Sequence, residues 1–135
     1  MQMTIARTLL DQILAMAAAE PEREVCGLLF GDTECIQSFQ ATPNVSATPE
    51  RAFEIDPQSL FGAIRAERQG GPRLIGHYHS HPSGSAVPSA CDADMAEPGR
   101  FWLIVAGGEA RLWRAGADGT LHGAFTPIIL DMCDR

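Results

Sequence analysis

The sequence is poor in basic residues and has no long apolar run, and both shortages narrow the classes of protein it can be. Its 135 residues carry 10 Lys and Arg against 17 Asp and Glu, a formal net charge of −7 at pH 7. Because phosphates are bound mainly by Lys and Arg, we expect no nucleic-acid partner, and anionic membrane surfaces are disfavoured for the same reason. No apolar stretch approaches the roughly 20 residues that span a bilayer, so we expect no membrane association.

Closely spaced cysteines are also missing, which argues against a zinc knuckle. The four cysteines are dispersed, at Cys26, Cys35, Cys91 and Cys133. A tight turn at Gly31-Asp32 would place Cys26 opposite residue 37 and not opposite Cys35, so a hairpin disulfide does not fit well. We therefore expect reduced thiols in a cytoplasmic protein.

The N-terminal stretch has features of both a secretory signal and a helix. Arg7 and an Ala-rich end are typical of a signal peptide, but Asp11 and Gln12 interrupt the apolar region. Apolar residues recur at helical spacing, at Ile5, Leu9, Ile13 and Met16. This pattern predicts an amphipathic core helix over about residues 4–19.

Strand and helix patterns follow one another along the rest of the chain. With 45% hydrophobic residues, the sequence predicts one compact domain over residues 1–135. Asp56-Pro57 is typical of a helix start, and we expect Leu60, Phe61 and Ile64 to face inward, with the helix ending at Gly70-Gly71. Predicted strands cover about residues 24–30, 34–40, 51–55, 73–79, 101–106, 110–115 and 120–125, and a short helix covers 89–96. This order predicts an α+β fold, a mixed β-sheet flanked by helices.

Three histidines alternate in the segment Gly76–Pro82, which reads Gly-His-Tyr-His-Ser-His-Pro. On a strand, His77, His79 and His81 point to the same side, with neighbours roughly 6.5–7 Å apart. The outer two are about 13 Å apart, too far to share a metal ion without a bend. Spacing alone therefore permits the pair 77/79 or the pair 79/81, but not all three.

Downstream, Ser89 and Asp92 are three residues apart at the start of the predicted short helix. Ser-x-x-Asp at such a place is close to a capping box, with the carboxylate near the positive end of the helix. The nearby imidazoles favour a second interpretation. Two neutral imidazoles and one carboxylate are a standard hydrolytic zinc set that leaves the fourth position for water.

Together these residues resemble the motif of the JAMM, or MPN-plus, metallopeptidases. That signature is an upstream Glu, then His-Ser/Thr-His, seven residues that begin with Pro, Ser, two residues and Asp. Here the elements are Glu24, His79-Ser80-His81, residues 82–88, Ser89 and Asp92. The surrounding segments 24–31, 53–57 and 98–105 are also similar to the family's core, so the resemblance extends from about residue 24 to residue 125.

The resemblance implies an MPN-type fold, one zinc ion per chain and a role for each residue of the motif. His79, His81 and Asp92 would hold the metal, and Glu24 would handle protons. Ser89 would donate a hydrogen bond to the oxyanion. His77 then becomes a residue that packs beside the site.

The resemblance also implies a substrate class. Enzymes of that family remove ubiquitin or ubiquitin-like proteins at a C-terminal glycine, and small bacterial members resemble hydrolases that act on sulfur-carrier proteins. We therefore expect a zinc metallopeptidase that takes a ubiquitin-like or sulfur-carrier protein as its substrate partner. A general zinc peptidase is the near alternative.

Other classes fit the sequence less well. A metal-free MPN scaffold would lack one or more ligands, and all of them are present. A zinc deaminase would carry His-x-Glu and Pro-Cys-x-x-Cys, which are absent. A RadC-like, DNA-associated role is disfavoured by the acidic balance.

Overall fold

A mixed sheet with three helices is described over residues 1–133 by the computed structural model of the protein. The helices are α1 (Arg7–Ala19), α2 (Pro57–Arg68) and α3 (Ala90–Met95). The strands are β1 (Gln2–Ala6), β2 (Cys26–Gly31), β3 (Cys35–Thr42), β4 (Leu74–Ser80), β5 (Phe101–Ala106), β6 (Glu109–Ala115) and β7 (Phe125–Cys133). The predicted α+β fold, a mixed sheet flanked by helices, is confirmed.

The short strand β1 closes the sheet on itself. It runs parallel to β3 on one side and to β7 on the other, which gives a closed barrel in the order β1-β3-β2-β4-β5-β6-β7. Strands β4 and β5 are also parallel, and the other neighbours are antiparallel. A parallel pair needs a crossover connection, and the one between β4 and β5 carries α3.

The two faces of the sheet receive different helices. Leu10 and Ile13 of α1 join one buried cluster with Leu29 and Tyr78, whereas α2 packs on a second cluster that includes Leu28. Successive residues of β2 therefore face opposite sides, as strand geometry requires. Each buried side chain of this kind contributes about 1.5–3 kcal/mol.

A third apolar cluster lies on the side of the sheet opposite α1, and its large members are aromatic. It contains Phe53, Trp102, Trp113 and Phe125 among its buried residues. His79 of β4 faces this side of the sheet, because it lies opposite Cys26 and Ile104, which belong to the cluster.

The first predicted helix begins too early. Thr4 and Ile5 belong to β1, and the helix starts at Arg7. Ile5 fits the helical stripe by spacing, but its backbone lies between Ile36 and Met132 of the two neighbouring strands. Strand pairing on both sides of Ile5 outweighs the local apolar pattern, which is compatible with a helix and with a strand.

Two predicted strands are also wrong. Residues 51–55 form no strand; a single bridge joins Asn44 to Ile55. Residues 120–125 are mostly turn, with one bridge between Leu121 and Phe125, and the strand begins at Phe125 and continues to Cys133. Alternating polarity is weak evidence over such short segments.

Side-chain placement departs from expectation at two points. Phe61 is 61% exposed, and Ala63 is the buried residue of α2. Cys26 lies opposite Thr42 and not residue 37, because the turn is at residues 33–34, where the Asp32 N–H donates to the Cys35 carbonyl, and the pairing shifts by one at Phe30/Gly31. All four cysteines are free, as expected. None of the helices within residues 1–133 is long and apolar enough to cross a membrane.

Two glycines provide a stability test of this packing. A Cβ on Gly76 would overlap the Phe101 carbonyl oxygen, whereas a Cβ on Gly62, in α2, would meet open space. We expect Gly76→Ala to lower the free energy of unfolding by about 1–3 kcal/mol or more. Gly62→Ala should raise it by about 0.5–1 kcal/mol, because alanine is the better helix former. Urea denaturation of both variants measures this, and equal effects would contradict the described β4–β5 contact.

Candidate active site

Strand β4 brings two imidazoles together at its carboxyl end. His79 is the second-last residue of β4. His81 follows directly after the strand and still pairs with β5, because its N–H donates to the Val105 carbonyl (3.0 Å). The two Nε2 atoms lie 2.9 Å apart. His79 is fully buried and His81 is 9% exposed. The structure thus brings together the pair 79/81.

Asp92 reaches the same point from the first turn of α3. Its side chain accepts a bond from the Ser89 N–H (2.9 Å), and Ser89 Oγ accepts one from the Asp92 N–H (3.0 Å). This capping box holds the carboxylate with Oδ1 at 3.3 Å from His79 Nε2 and Oδ2 at 3.1 Å from His81 Nε2. The two interpretations of Ser-x-x-Asp therefore agree: the cap aims the carboxylate at the imidazoles.

The two imidazoles are oriented in different ways. His81 Nδ1 lies 2.7 Å from the Ser85 carbonyl oxygen, which can only accept, so Nδ1 carries the hydrogen and Nε2 is free to act as a donor atom to an ion. His79 Nδ1 is buried and has no hydrogen-bond partner among the described residues. Its ring instead stacks on Phe53, with centroids 4.2 Å apart and planes 19° from parallel.

Glu24 completes the cluster, just before β2. It is 5% exposed, and nothing in the described part of the chain forms a hydrogen bond with its Oε1. One carboxylate oxygen lies within 4.8 Å of ring nitrogens of both His79 and His81. Burial raises the pKa of Glu24 to about 7; His81 opposes the shift and Asp92 adds to it. The carboxyl can therefore both hold and release a proton near neutral pH.

Opposing causes act on the pKa values of the other three groups. Burial raises the pKa of Asp92, but bonds from both imidazoles lower it by more, so the net shift is downward. Burial lowers the pKa of His79. Burial also lowers the pKa of His81, but its bonds to Asp92 and to the Ser85 carbonyl outweigh this and raise it overall. At neutral pH the site therefore holds the Asp92 carboxylate beside a neutral His79.

These donors fit a divalent metal ion. Ligand atoms about 2.0–2.1 Å from a tetrahedral zinc lie roughly 3.3 Å from one another. The observed separations among His79 Nε2, His81 Nε2 and the Asp92 oxygens are 2.9, 3.1 and 3.3 Å. Three such groups, converging with little access to water, are the arrangement a cation would stabilise.

Comparison with known proteins agrees with the geometry. The profile of a family described as prokaryotic homologs of the JAB domain matches residues 6–116, most of the chain. The chain belongs to this family. Structures of JAB-type proteins share its fold: a JAB1/MPN domain protein from Archaeoglobus fulgidus superposes with a TM-score of 0.64 at 21% identity, covering 98% of both chains. A solution structure of a Desulfitobacterium hafniense protein gives 0.81 at 27% identity, covering 100% and 94%.

Two curated relatives of this JAB-domain chain are enzymes by name. A desampylase from Haloferax volcanii is 38% identical over 110 residues, covering 76% of this chain and 79% of the relative. A probable TtuB-protein conjugate cleaving protease from Thermus thermophilus is 36% identical over 92 residues, covering 68% and 62%. The chain thus spans less than two thirds of the second relative.

The cluster around Asp92 does not include His77, Ser80 or Cys91. His77 packs edge-on against Trp102, with centroids 4.4 Å apart, and burial lowers its pKa to about 3, so it stays neutral. Ser80 faces away, and its Oγ accepts from the Val25 N–H (2.9 Å). Cys91 is exposed.

Three further residues have roles that the sequence did not show. His122 Nε2 lies 3.1 Å from the Pro88 carbonyl. Phe53 stacks on His79 and Asn44 bonds the Glu24 carbonyl, although Phe53 falls in a predicted strand (51–55) and Asn44 between two predicted strands. The Asn44-x-Ser46 pattern was a usable signal, because Asn favours turns in which its side chain bonds the backbone two residues on.

The raised pKa of Glu24 predicts a pH-dependent stability difference in metal-free protein. Below pH 4.5 the carboxyl is protonated in both states; between 4.5 and about 7 the unfolded chain loses the proton while the folded chain keeps it. The parent should therefore lose stability relative to Glu24→Gln as pH rises through this window, by on the order of 2–3 kcal/mol.

Denaturant unfolding of both proteins from pH 4 to 8, with chelator present, measures the difference. Glu50→Gln, at an exposed position, is the control and should track the parent closely. Parallel curves for the parent and Glu24→Gln would show that the carboxyl is not buried as described.

Proposed function

We propose that the chain is a zinc-dependent hydrolase that cleaves the bond after the C-terminal glycine of a ubiquitin-like or sulfur-carrier protein. The observation that carries the proposal is the buried convergence of His79, His81 and Asp92 beside Glu24, whose Oε1 has no hydrogen-bond partner within residues 1–133. The names of the two enzyme relatives, desampylase and probable TtuB-protein conjugate cleaving protease, support the substrate class. The complete donor set disfavours a non-catalytic MPN scaffold.

Zinc is the ion that this donor set suits best. Two imidazoles and one carboxylate, with a position left open, are the ligands of catalytic zinc, whereas magnesium and calcium prefer oxygen donors. His79, His81 and Asp92 would be the ligands. When bound, zinc polarises a carbonyl and lowers the pKa of a water molecule to about 7.

Glu24 would act as general base and then as general acid. Its carboxylate takes a proton from the attacking water and delivers it to the leaving amine nitrogen, which lets the tetrahedral species collapse to products. A pKa of about 7 suits both directions of transfer. Because Oε1 has no hydrogen-bond partner in the fold, it is free to receive this proton.

Ser89 would stabilise the developing oxyanion. Its Oγ uses a lone pair to cap α3, accepting from Asp92, which leaves the O–H free to donate. The residue is exposed at the rim of the site, where a substrate carbonyl would arrive. One such donor typically contributes about 10²–10³-fold in rate.

A loop of small residues beside His81 suits a narrow, extended peptide. Residues 83–85 of this loop are exposed, and the Ser85 carbonyl oxygen lies 2.7 Å from His81 Nδ1. A Gly-Gly tail can pass along such a loop, because it has no side chains to clash where its backbone passes the site. A cavity of about 630 Å³ on the α1 side of the sheet includes His81 in its lining but not His79, Asp92 or Glu24, so it is not the path to the site.

Variants of the proposed ligands test the metal site. We expect elemental analysis to find one zinc per chain, lost in His81→Ala and in Asp92→Ala because each removes one of three ligands. His77→Ala should keep the zinc, since its ring lies with Trp102 and Phe53.

Glu24→Gln is the matched variant for catalysis. It should keep zinc while hydrolysis falls by about 10²–10⁴-fold, because it removes the base and preserves the shape. Loss of zinc in Glu24→Gln would instead make Glu24 a ligand, and full occupancy in Asp92→Ala would refute the ligand set.

Carrier proteins extended beyond a C-terminal Gly-Gly test the substrate. Mass spectrometry should find cleavage after the last glycine, with little dependence on the residue released. Replacing that glycine by valine should block cleavage, because a branched side chain would clash where the backbone of the tail passes the site. Equal cleavage of the valine variant, or of unrelated peptides, would favour a general peptidase.

A further inference from the structure

The side chain of Asn44 joins three backbone segments near the site. Its Nδ2 donates to the Glu24 carbonyl (2.9 Å) and to the Ala52 carbonyl (3.0 Å). Its Oδ1 accepts from the N–H groups of Ser46 and Glu54, each at 3.0 Å. All four hydrogen-bonding positions of the amide are used, and the partners fix which end is nitrogen, since carbonyls surround Nδ2 and N–H groups surround Oδ1.

One of the segments that Asn44 bonds is the backbone of Glu24. The Asn44 amide holds its carbonyl, and the Pro49 carbonyl, in the same loop, accepts from its N–H (2.7 Å). The next residue, Val25, pairs with Ser80. The backbone that carries the proton-handling carboxylate is therefore held from both sides by the loop at residues 44–49, while Oε1 itself has no hydrogen-bond partner.

Another of the bonded segments is the backbone on either side of Phe53. The two backbone groups that Asn44 bonds in this segment belong to the residues immediately before and after Phe53. Phe53 is 5% exposed and stacks on His79, whose Nδ1 has no hydrogen-bond partner. Ring contacts with Phe53 and Trp102 thus set the plane of His79, where a metal-binding imidazole ordinarily has a hydrogen bond.

We propose that Asn44 is a positioning residue that sets Glu24 and the Phe53–His79 stack relative to one another, and that Phe53 replaces the missing hydrogen bond of His79. This inference rests on the proposed function, in which His79 binds zinc and Glu24 moves protons. Groups that orient metal ligands typically contribute 10–100-fold to metal affinity or activity.

Zinc affinity, measured in the full chain by competition with a chromophoric chelator, tests the proposal without any substrate. Asn44→Ala and Phe53→Leu should each weaken zinc binding by about 10–100-fold. Asn44→Asp keeps the acceptor for Ser46 and Glu54 but replaces the donor to the Glu24 and Ala52 carbonyls by a carboxylate oxygen, so its zinc affinity should also fall. It also serves as the test should Asn44→Ala fail to fold.

Two controls separate positioning from stability. Asp32 also holds a turn by accepting two backbone bonds, at 2.7 and 2.8 Å, but at the β2–β3 connection. Phe101 is 5% exposed, like Phe53, but it lies in the apolar cluster on the α1 side of the sheet. Asp32→Ala and Phe101→Leu should lower the melting temperature and leave zinc affinity within about twofold of the parent.

The absorption spectrum of the Co²⁺-loaded protein supplies a signature that a purely structural role would not change. Phe53→Leu and Asn44→Asp should alter its ligand-field bands, because the plane of one imidazole changes, and Phe101→Leu should not. Folded Asn44 and Phe53 variants with the parent's zinc affinity and Co²⁺ spectrum would overturn the inference. A parent that binds no zinc at this site would instead overturn the proposed function.

Discussion

The convergence of one carboxylate on two imidazoles, away from water, is the constraint around which the site is organised. Burying an unpaired charge costs free energy, so the buried Asp92 carboxylate requires strong hydrogen-bonding partners. It has bonds from the α3 cap and contacts to His79 and His81, each at about 3 Å. The crossover between two parallel strands places α3 where these contacts can form. The segment between β4 and β5 therefore both connects two parallel strands and supplies the carboxylate of the site.

Glu24 occupies a different electrostatic position from Asp92, although both are buried carboxyls. Asp92 is bonded by imidazoles and backbone, which lowers its pKa, whereas Glu24 is buried without a partner for Oε1, which raises its pKa to about 7. Environments that separate the pKa values of two acids are how one site holds both a ligand and a proton carrier. Asn44 connects this carboxyl to the ring stack on His79.

Periodicity shows that the histidines share a face, but it cannot choose between the pairs 77/79 and 79/81. That choice depends on the aromatic cluster that takes in the ring of His77, and on the course of the chain after Ser80. Glu24 likewise looks locally the same as Glu20 and Glu22, yet only Glu24 is buried. β1 was missed because Ile5 fits a helical stripe, while its pairing partners lie some 30 and 127 residues away. Local patterns predict elements well, and long-range contacts select among them.

A crystal structure of zinc-loaded protein, with anomalous data collected on both sides of the zinc absorption edge, tests the central claim most directly. The account predicts one anomalous peak per chain, about 2.0–2.2 Å from His79 Nε2, His81 Nε2 and an Asp92 oxygen, with Glu24 outside the coordination sphere. Absence of a peak at this position, or a peak coordinated by Glu24 in place of Asp92, would contradict it.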